Sequence, residues 1–504
     1  MITLHDVAAI RAAEHAHSDE LNSGVLMDRA AHGVSAAVID LLQQVFGRVV
    51  GSRVVLLVGP GNNGGDALFA GAKLLRRGVR ASAITSSSRF HPGGAEAFTS
   101  AGGLLMPWSA EALADLQAAD LIIDGLLGIG AVGDLRAPMD EIVAATRSVR
   151  GLIVSVDVPT GVDADTGAIA NEVVDADQTV TFGGVKPGLL VNPGKEFCGG
   201  VRLVDIGITD ALDVCGGCLD ANDVALWIPE ADASDYKYRR GVVGLLAGSE
   251  RYPGAAFLTT AAALCADIGM VEYFDRGDGL ARDVVMAHPP IVTTFADPAS
   301  NSRVRAWVAG PGFSGTAHDA EAVHAVLRCS VPVVLDAGAL TVIAADESLR
   351  AAVIAREFPT IITPHEGEFA RLSDADLASN RLGAAFECAR ALNVIVVLKG
   401  SGTIVVSPEG ILFIDVLGTP ALATAGSGDV LSGLMGALLA GAVARSGVDI
   451  DDTTATEVAA AAVWLHSEAG RIASQGGLPV TAHQIVQALP AAVAAVRRPG
   501  RMGS

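Results

Sequence analysis

The chain has little positive charge and few cysteines, and each shortage excludes a class of protein. Its 35 Lys and Arg residues stand against 56 Asp and Glu residues, a net charge of −21 over 504 residues. Nucleic acids and anionic membrane surfaces select clustered Lys and Arg, so we expect neither as a partner. Six cysteines in a chain of this length do not form the disulfide framework of a small secreted protein.

Signals for export or membrane insertion are also lacking. Residues 1–20 are amphipathic and charged, without the basic and apolar segments of a signal peptide. The longest nearly uncharged apolar run lies between Asp429 and Arg445; it is shorter than a bilayer span requires and is rich in Gly and Ala. We therefore expect a buried core helix at this run and a cytoplasmic protein.

Aliphatic residues are abundant, and their pattern predicts the fold class. Short uninterrupted apolar segments, among them 53–59, 121–128 and 152–159, alternate with helical segments. The same pattern restarts at residue 241, after a stretch rich in Gly, Asp and Cys. Such strands predict mostly parallel sheets covered by helices on both faces. We expect an α/β chain with domains at 1–210 and 223–504, joined by a linker at 211–222.

Polar residues gather at three predicted strand ends of the first domain, where ligands of parallel sheets bind. The loop GPGNNGGD (59–66) joins a strand to a helix, but it has neither the dinucleotide GxGxxG spacing nor the GK[ST] of a phosphate loop. Taken alone, it fits a ligand-free turn as well as a site. Asp124 and Asp157 each end a buried strand, where a carboxylate is costly unless it binds something or caps a helix. Together the three features predict a polar pocket with acid–base or cation-binding capacity.

The motifs GNNGGD, DGLLGIG (124–130) and VDVPTGVDADTG (156–167) resemble those of the NAD(P)H-hydrate epimerase domain, over roughly residues 1–210. The resemblance implies a Rossmann-like three-layer domain and a potassium ion bound by Asn63, Asp124 and Thr160. It also implies that the hydrated nucleotide contacts Asn62, Asn63, Gly64, Gly65, Asp66, Gly128, Ile129, Gly130, Ala131, Val132, Gly133, Asp134 and Asp157. The two epimers differ at C6, which carries a hydroxyl beside the ring nitrogen. Inverting C6 needs a proton donor and acceptor, and we expect Asp157 to be that group.

The most informative stretch of the second domain is AGSGD (425–429), directly before the long apolar helix. Backbone N–H groups at Gly426, Ser427 and Gly428 would point with the helix dipole at one spot, beside Asp429. A helix cap explains this arrangement without any function. The combination also resembles the anion hole and catalytic base of ribokinase-like sugar and vitamin kinases.

Four further motifs extend that resemblance: YPGAAFL (252–258), AGPGFSG (309–315), TPHEGEF (363–369) and LKGSGTIV (398–405). Together they resemble the ADP-dependent NAD(P)H-hydrate dehydratase domain, which is ribokinase-like, over roughly residues 223–495. The resemblance implies that the hydrated nucleotide contacts Ala256, Gly312, His365 and Asp429. It implies that ADP or its AMP part contacts Lys399, Gly400, Ser401, Gly402, Thr403 and Gly428. Thr419 departs from the Asn that is frequent in the family.

The resemblance of both halves implies one bifunctional repair enzyme. Its substrates would be NADHX and NADPHX, the hydrated forms of NADH and NADPH. The first domain would interconvert their R and S epimers. The second would dehydrate the S epimer to NAD(P)H, AMP and phosphate, with ADP or ATP as phosphoryl donor, Asp429 as base and Mg²⁺ as the expected cation. The low-charge surface predicts a homo-oligomer.

Two alternatives remain open at this stage. One is a ribokinase-like vitamin kinase with an appended non-catalytic binding domain. The other is a non-catalytic first domain that serves as a scaffold.

Overall fold

The computed structural model describes residues 1–229, 236–277, 279–295, 297–447 and 449–497. The chain divides into two compact units, an N-terminal unit of Thr3–Cys215 with Ala378–Arg381, and a C-terminal unit that starts at Gly216 and includes Met1–Ile2. The division falls inside 211–222, which the sequence predicts to be a linker. Part of that segment is ordered structure of the C-terminal unit, because Gly216–Cys218 forms a strand and Asp220 caps a short helix through the N–H groups of Asn222 and Asp223.

The N-terminal unit is built on a seven-stranded parallel sheet. Its helices are α1 (Val7–Ala16), α2 (Ser18–Ser23), α3 (Val25–Phe46), α4 (Asn62–Leu75), α5 (Pro92–Ser100), α6 (Ala110–Gln117) and α7 (Met139–Thr146). After β1 (Ile2–Leu4), its strands are β2 (Arg53–Val58), β3 (Arg80–Thr85), β4 (Leu104–Pro107), β5 (Leu121–Gly125), β6 (Leu152–Val156), β7 (Gln178–Phe182) and β8 (Gly200–Val204). The order across the sheet is β4-β3-β2-β5-β6-β7-β8.

Both faces of this sheet are covered, as the uninterrupted apolar strands predict. Along β2, Leu56 faces one core with Leu68 of α4 and Phe98 of α5. Its neighbour Leu57 faces a second core with Ile142 of α7. Side chains alternate between the two faces of a strand, so a strand buried on both faces must be apolar at every position.

The C-terminal unit is built on a larger mixed sheet. Its strands are β9 (Gly216–Cys218), β10 (Val242–Leu246), β11 (Met270–Phe274), β12 (Val292–Thr294), β13 (Ala306–Ala309), β14 (Val333–Leu335), β15 (Thr360–Ile362), β16 (Ile395–Leu398), β17 (Ile404–Val406) and β18 (Leu412–Ile414). Their order is β9-β18-β17-β16-β15-β14-β13-β10-β11-β12. β17 is antiparallel to both of its neighbours, and it forms a hairpin with β18. The neighbouring strands from β16 to β12 are parallel.

The helices of the C-terminal unit are α8 (Ala221–Ala225), α9 (Pro253–Leu264), α10 (Ala281–Ala287), α11 (Ala317–Leu327), α12 (Gly338–Ala345), α13 (Glu347–Ile354), α14 (Glu366–Leu372), α15 (Arg381–Leu392), α16 (Ser427–Ser446), α17 (Asp452–Ala473) and α18 (Ala482–Val496). Among the described residues, α16 is long and apolar enough to cross a membrane by length and composition, but 83% of its most apolar window is buried inside the protein. It packs against α9, α17 and β13, so it is a core helix, as its sequence predicts.

Candidate active sites

Segments that follow three neighbouring strands line one cleft of the N-terminal unit. β2, β5 and β6 are adjacent and parallel, so their carboxyl ends lie at the same edge of the sheet. The cleft has a volume of ≈ 390 Å³, and its lining includes Asn62, Asn63, Asp66, Gly128, Ile129, Gly130, Ala131 and Asp157. The sequence predicts the helix after β2 to begin at Asp66, whereas α4 begins at Asn62. The Asn-Asn-Gly-Gly-Asp segment is therefore the first part of the helix rather than a loop.

Close backbone contacts explain two of the glycines at this edge. A Cβ atom at Gly64 would lie 2.3 Å from the carbonyl oxygen of Gly59. A Cβ atom at Gly128 would lie 2.4 Å from Oδ1 of Asn63. Neither position has room for a side chain, and the absence of one at residue 128 lets the Asn63 side chain lie against the loop after β5.

Asp124, at the end of β5, is fully buried and held by hydroxyl and amide donors. Thr160 donates to it from its backbone N at 2.8 Å and from Oγ1 at 2.7 Å, and Ser155 Oγ donates at 2.9 Å. Burial raises the pKa of this carboxyl, against the effect of these hydrogen bonds. Within the described ranges no cationic side chain pairs with it.

The three residues expected to bind potassium belong to one connected network. Nδ2 of Asn63 donates to the carbonyl oxygens of Leu127 and Val156, at 3.0 and 2.7 Å. The N–H of Leu127 in turn donates to Thr160 Oγ1 at 3.2 Å, and Thr160 binds Asp124. Hydrogen bonds thus link the Asn63 amide, the Thr160 hydroxyl and the buried Asp124 carboxyl, and oxygen atoms of these kinds are ligands of hard cations.

Asp157 contacts a residue that the sequence reasoning missed, Lys186. Asp157 follows β6 with a backbone φ of 68°, an unusual value for a residue other than glycine. Its Oδ1 lies 2.5 Å from Nζ of Lys186, whose side chain is completely buried. Nothing in the sequence GGVKPG (183–188) marks this lysine, because a lone Lys in a loop usually faces solvent. Only the fold brings it under the cleft.

Two further carboxyls share the cleft with Asp157. Burial raises the pKa of Asp66 well above its usual range, and the charges of Asp157 and Glu14 add to the effect. Burial, followed by the charge of Asp157, also raises the pKa of Glu14, which projects from α1. Glu14 was missed in the sequence because its charge fits an amphipathic surface helix. The cleft thus combines several carboxyls of different proton affinity.

Part of the segment expected to bind nucleotide lies outside this lining. Val132 is 84% exposed, and Gly133 turns the chain away with a φ of 83°. Asp134 accepts a hydrogen bond from the N–H of Asn171 at 3.0 Å. Gly64 and Gly65 are buried within α4. The structure therefore brings the first four residues of the segment 128–134 to the cleft and leaves the last three away from its lining.

A charged centre lies at the carboxyl ends of β14 and β16 in the C-terminal unit. Asp336 follows β14 and Lys399 follows β16; Nζ of Lys399 lies 2.9 Å from Oδ1 of Asp336. Oδ2 of Asp336 accepts a hydrogen bond from Ser432 Oγ of α16 at 2.8 Å. Nζ of Lys399 also lies 3.7 Å from Oε2 of Glu368. A Cβ atom at Gly428 would lie 3.3 Å from Nζ of Lys399, so the start of α16 faces this centre directly.

Asp429 lies in the first turn of α16 beside this centre, partly exposed. Burial, and then the negative charge of Asp336, raises its pKa to about 7, while Lys399 opposes the increase. α16 begins after Gly426, and no side chain in the described part of the protein caps its N-terminus. The cap explanation of the AGSGD sequence therefore fails: Asp429 is available to exchange a proton, and its helix end is available to an anion.

The Ser427 hydroxyl is occupied by a residue that the sequence reasoning did not select. His466, a buried residue of α17, places Nε2 3.1 Å from Ser427 Oγ. Burial lowers the pKa of His466 to about 4, so the imidazole is neutral near pH 7. A single His in an apolar helix usually indicates a core position, and here it orients the turn that begins α16.

The remaining expected contacts lie at the same edge of the C-terminal sheet. His365 is exposed and caps α14, accepting through Nδ1 from the N–H of Gly367 at 3.0 Å. Gly312 has a φ of 71°, and a Cβ atom there would lie 2.6 Å from that of Ala255. Ala256, the next residue, is fully buried.

The expected nucleotide segment 399–403 is divided by its surroundings. Lys399 belongs to the charged centre. Gly400 and Ser401 are exposed, whereas Gly402 and Thr403 are buried, and Thr403 Oγ1 donates to the carbonyl oxygen of Gly400 at 3.1 Å. Thr419 caps the turn Pro420–Leu422 through the N–H of Ala421.

Comparison with known proteins covers both units. Residues 23–188 match the family model of the YjeF-related protein N-terminus, and residues 243–491 match that of NAD(P)H-hydrate dehydratase. A bifunctional NAD(P)H-hydrate repair enzyme of Mycobacterium leprae is 41% identical over 499 residues, covering 98% of this chain and 99% of that protein. The chain belongs to the bifunctional NAD(P)H-hydrate repair enzyme family.

Other members of the bifunctional repair enzyme family agree. The enzyme of Mycobacterium tuberculosis strain H37Rv is 44% identical over 438 residues, covering 86% of this chain and 89% of that one. Among solved structures, an ADP/ATP-dependent NAD(P)H-hydrate dehydratase from Bacillus subtilis, co-crystallised with ATP/Mg²⁺, has a TM-score of 0.47 and 28% identity. It covers 56% of this chain and 99% of that one. The two family models and the two mycobacterial relatives confirm the resemblance stated from the motifs and favour the repair enzyme over a vitamin kinase.

Proposed function

We propose that the chain repairs NADHX and NADPHX in two reactions. The N-terminal unit epimerises the R and S forms at C6, and the C-terminal unit dehydrates the S form to NAD(P)H with consumption of ADP. The observation that carries the second reaction is Asp429, a partly exposed carboxyl with a pKa raised to about 7, at a helix end without a side-chain cap. Such a group accepts a proton from an alcohol at neutral pH.

The dehydration requires the C6 hydroxyl to become a better leaving group. Asp429 removes its proton, and the oxygen attacks the terminal phosphorus of ADP, so that the bond to AMP breaks. The nitrogen lone pair of the ring then expels phosphate from C6, and loss of a proton from C5 restores the ring double bond. The backbone N–H groups at the start of α16 are positioned to stabilise the phosphoryl group in transit.

Lys399 is positioned to add a positive charge to the same phosphoryl group. Its Nζ lies close to Gly428 and is anchored by Asp336, so it adjoins the expected path of the phosphoryl group. We assign Gly400, Ser401, Gly402, Thr403 and Gly428 to ADP or its AMP part, and Ala256, Gly312 and His365 to the hydrated nucleotide. These assignments follow the motifs and the shared sheet edge.

Magnesium is expected to arrive with the nucleotide. The described residues contain no group of three or more His, Cys, Asp or Glu spaced to hold a metal ion. Mg²⁺ commonly binds through substrate phosphates and only one or two carboxylates, and bound there it would neutralise developing charge. Asp336 and Glu368, both near Lys399, are the carboxylates at hand.

The buried carboxyl of Asp124 supports a potassium site in the N-terminal unit. A carboxyl with no cationic partner among the described side chains, hydrogen-bonded to Thr160 and connected through Leu127 to Asn63, offers oxygen ligands to a monovalent cation. A bound cation would neutralise Asp124 and brace the loop after β5 against α4. A homo-oligomer and a cytoplasmic location remain predictions.

The test uses the complete chain with mixed R and S NADHX. With ADP present, return of the reduced nicotinamide absorbance reports dehydration; with ADP omitted, chromatography of the two epimers reports epimerisation alone. Asp429→Asn is expected to lower dehydration by a factor of about 100 or more and to leave epimerisation unchanged. Asp452→Asn is the matched control, because Asp452 also has a pKa raised, to about 6, but lies at the start of α17. Near-normal dehydration by Asp429→Asn would contradict the assignment, and phosphorylation of a vitamin without repair would favour the kinase.

A further inference from the structure

The N-terminal cleft contains a buried lysine, Lys186, to which none of the steps above assigns a role. Nζ of Lys186 lies 2.5 Å from Oδ1 of Asp157, 2.9 Å from Thr181 Oγ1 and 2.9 Å from the carbonyl oxygen of Phe182. An ammonium group has three N–H donors, and these three acceptors match them. Lys186 is therefore arranged to hold its neighbours rather than to give a proton to a ligand.

The partners of Asp157 all lie on one side of its carboxylate. Besides Lys186, Thr181 Oγ1 donates at 3.1 Å and the N–H of Phe182 at 3.3 Å, and both donate to Oδ1. Every hydrogen bond that Asp157 accepts within the described part of the chain thus ends on Oδ1. Because Asp157 lines the cleft, its second oxygen, Oδ2, is the one left for a ligand.

Among the described residues, no other charged group that faces the cleft forms an ion pair with Lys186. Asp66 faces the cleft from α4, and Glu14 and Arg11 face it from α1. Burial raises the pKa of both Asp66 and Glu14, and the charge of Lys186 offsets only part of the increase at Glu14. Asp157 is the carboxyl with which Lys186 pairs, at 2.5 Å.

We propose that Lys186 is a positioning residue of the epimerase: by holding Oδ1 it fixes the orientation of the Asp157 carboxyl and presents Oδ2 to the C6 hydroxyl. The inference rests on the proposed epimerisation. Oδ2 takes the hydroxyl proton, the oxygen electron pair forms a C6 aldehyde, and the C6–N1 bond breaks with its electrons on N1, which takes the proton from Asp157. Rotation about C5–C6, attack of N1 on the other face and return of the proton to oxygen complete the inversion. Asp157 ends each cycle as it began.

Three variants of the complete chain test this role: Lys186→Met, Lys186→Arg and Thr181→Val. Epimerisation of R-NADHX is measured without ADP, as kcat and KM, and dehydration of S-NADHX with ADP serves as the internal control. Lys186→Met is expected to lower kcat for epimerisation by about 100-fold with little change in KM, because Oδ1 is no longer held and the Asp157 carboxyl loses its orientation toward the C6 hydroxyl. Lys186→Arg keeps the charge and is expected to recover part of the rate.

The control is Lys73→Met, which removes another lysine of the same unit, paired with Asp28 at 2.7 Å on the surface. It is expected to leave both activities unchanged. Thr181→Val preserves the ion pair and removes one hydrogen bond to each partner, so a smaller rate loss in this variant supports the role even if Lys186→Met does not fold. A normal kcat for epimerisation in Lys186→Met, or in Thr181→Val should Lys186→Met not fold, would overturn the inference. Absence of epimerisation in the unmodified chain would instead overturn the proposed function.

Discussion

The dehydration rate should follow the ionisation of Asp429 across neutral pH. Its carboxyl has an ordinary pKa of 3.8 and a pKa of about 7 in the folded protein. This difference corresponds to about 4 kcal/mol of extra cost for the ionised form, which burial and the neighbouring charge of Asp336 impose. A base acts only when ionised, so activity should be present above pH 7 and lost as the pH falls below it.

The expected magnitude follows from the same pKa. About one-tenth of the molecules carry ionised Asp429 at pH 6 and about nine-tenths at pH 8, so kcat/KM for S-NADHX should rise roughly tenfold between them. Initial rates are measured by the return of the reduced nicotinamide absorbance at saturating ADP. Asp336→Asn removes the second largest cause of the raised pKa and should move the midpoint to lower pH, whereas Asp452→Asn should leave it in place.

A flat profile from pH 6 to pH 8 would refute this reasoning, because it would mean that no group with a pKa near 7 must ionise for dehydration. A midpoint near 7 that persists in Asp429→Asn, measured on residual activity, would assign the titration to another group. The two results are distinguishable, since the first concerns the whole site and the second concerns Asp429 alone.

Three further changes have separate expected outcomes. Lys399→Met should lower the dehydration rate by about 100-fold and raise KM for ADP, with epimerisation unchanged, because it removes the positive charge beside Gly428. An unchanged KM for ADP would contradict the placement of Lys399 at the nucleotide. Gly128→Ala should lower the epimerisation rate and leave dehydration unchanged, since the new Cβ would lie 2.4 Å from Asn63 Oδ1. Chromatography of the two epimers without ADP measures the epimerisation rate. His466 has a pKa lowered to about 4, so between pH 6.5 and 4 the unfolded chain binds more protons than the folded protein. The free energy of unfolding should therefore decrease as the pH is lowered, by about 2 kcal/mol from pH 7 to pH 5. Urea unfolding of His466→Asn at both pH values should show a smaller loss.

The sheet could be predicted from the sequence because its strands carry their own signal. The segments at 53–59, 121–128 and 152–159 became β2, β5 and β6, and the restart at 241–249 became β10. A strand buried on both faces shows an apolar run that ends where polar residues begin. The short β9 gave no such signal, because Gly216–Cys218 has one apolar side chain, and its place depends on pairing with β18.

Some site residues could likewise be predicted from the sequence, and others could not. Asp124, Asp157 and Asp429 could be selected because each interrupts an apolar context, where an unpaired carboxylate is costly. Lys186, Asp336 and His466 could not be selected with the same reasoning. Their roles depend on partners distant in the chain, and such pairing leaves no local pattern. Asp336 is the partial exception, since it ends β14 as Asp124 ends β5.

The two units place a lysine differently relative to the carboxyl that is proposed to react. In the N-terminal unit, Lys186 binds the proposed acid–base group, Asp157, at 2.5 Å. In the C-terminal unit, Lys399 binds Asp336 at 2.9 Å, and the negative charge of Asp336 contributes to the raised pKa of Asp429. In the proposed dehydration, removing a proton from an alcohol that must attack phosphorus calls for a base of raised proton affinity. Moving Lys399 onto Asp429 would stabilise the ionised form and lower that proton affinity, so the binding of Lys399 to Asp336 suits the role proposed for Asp429.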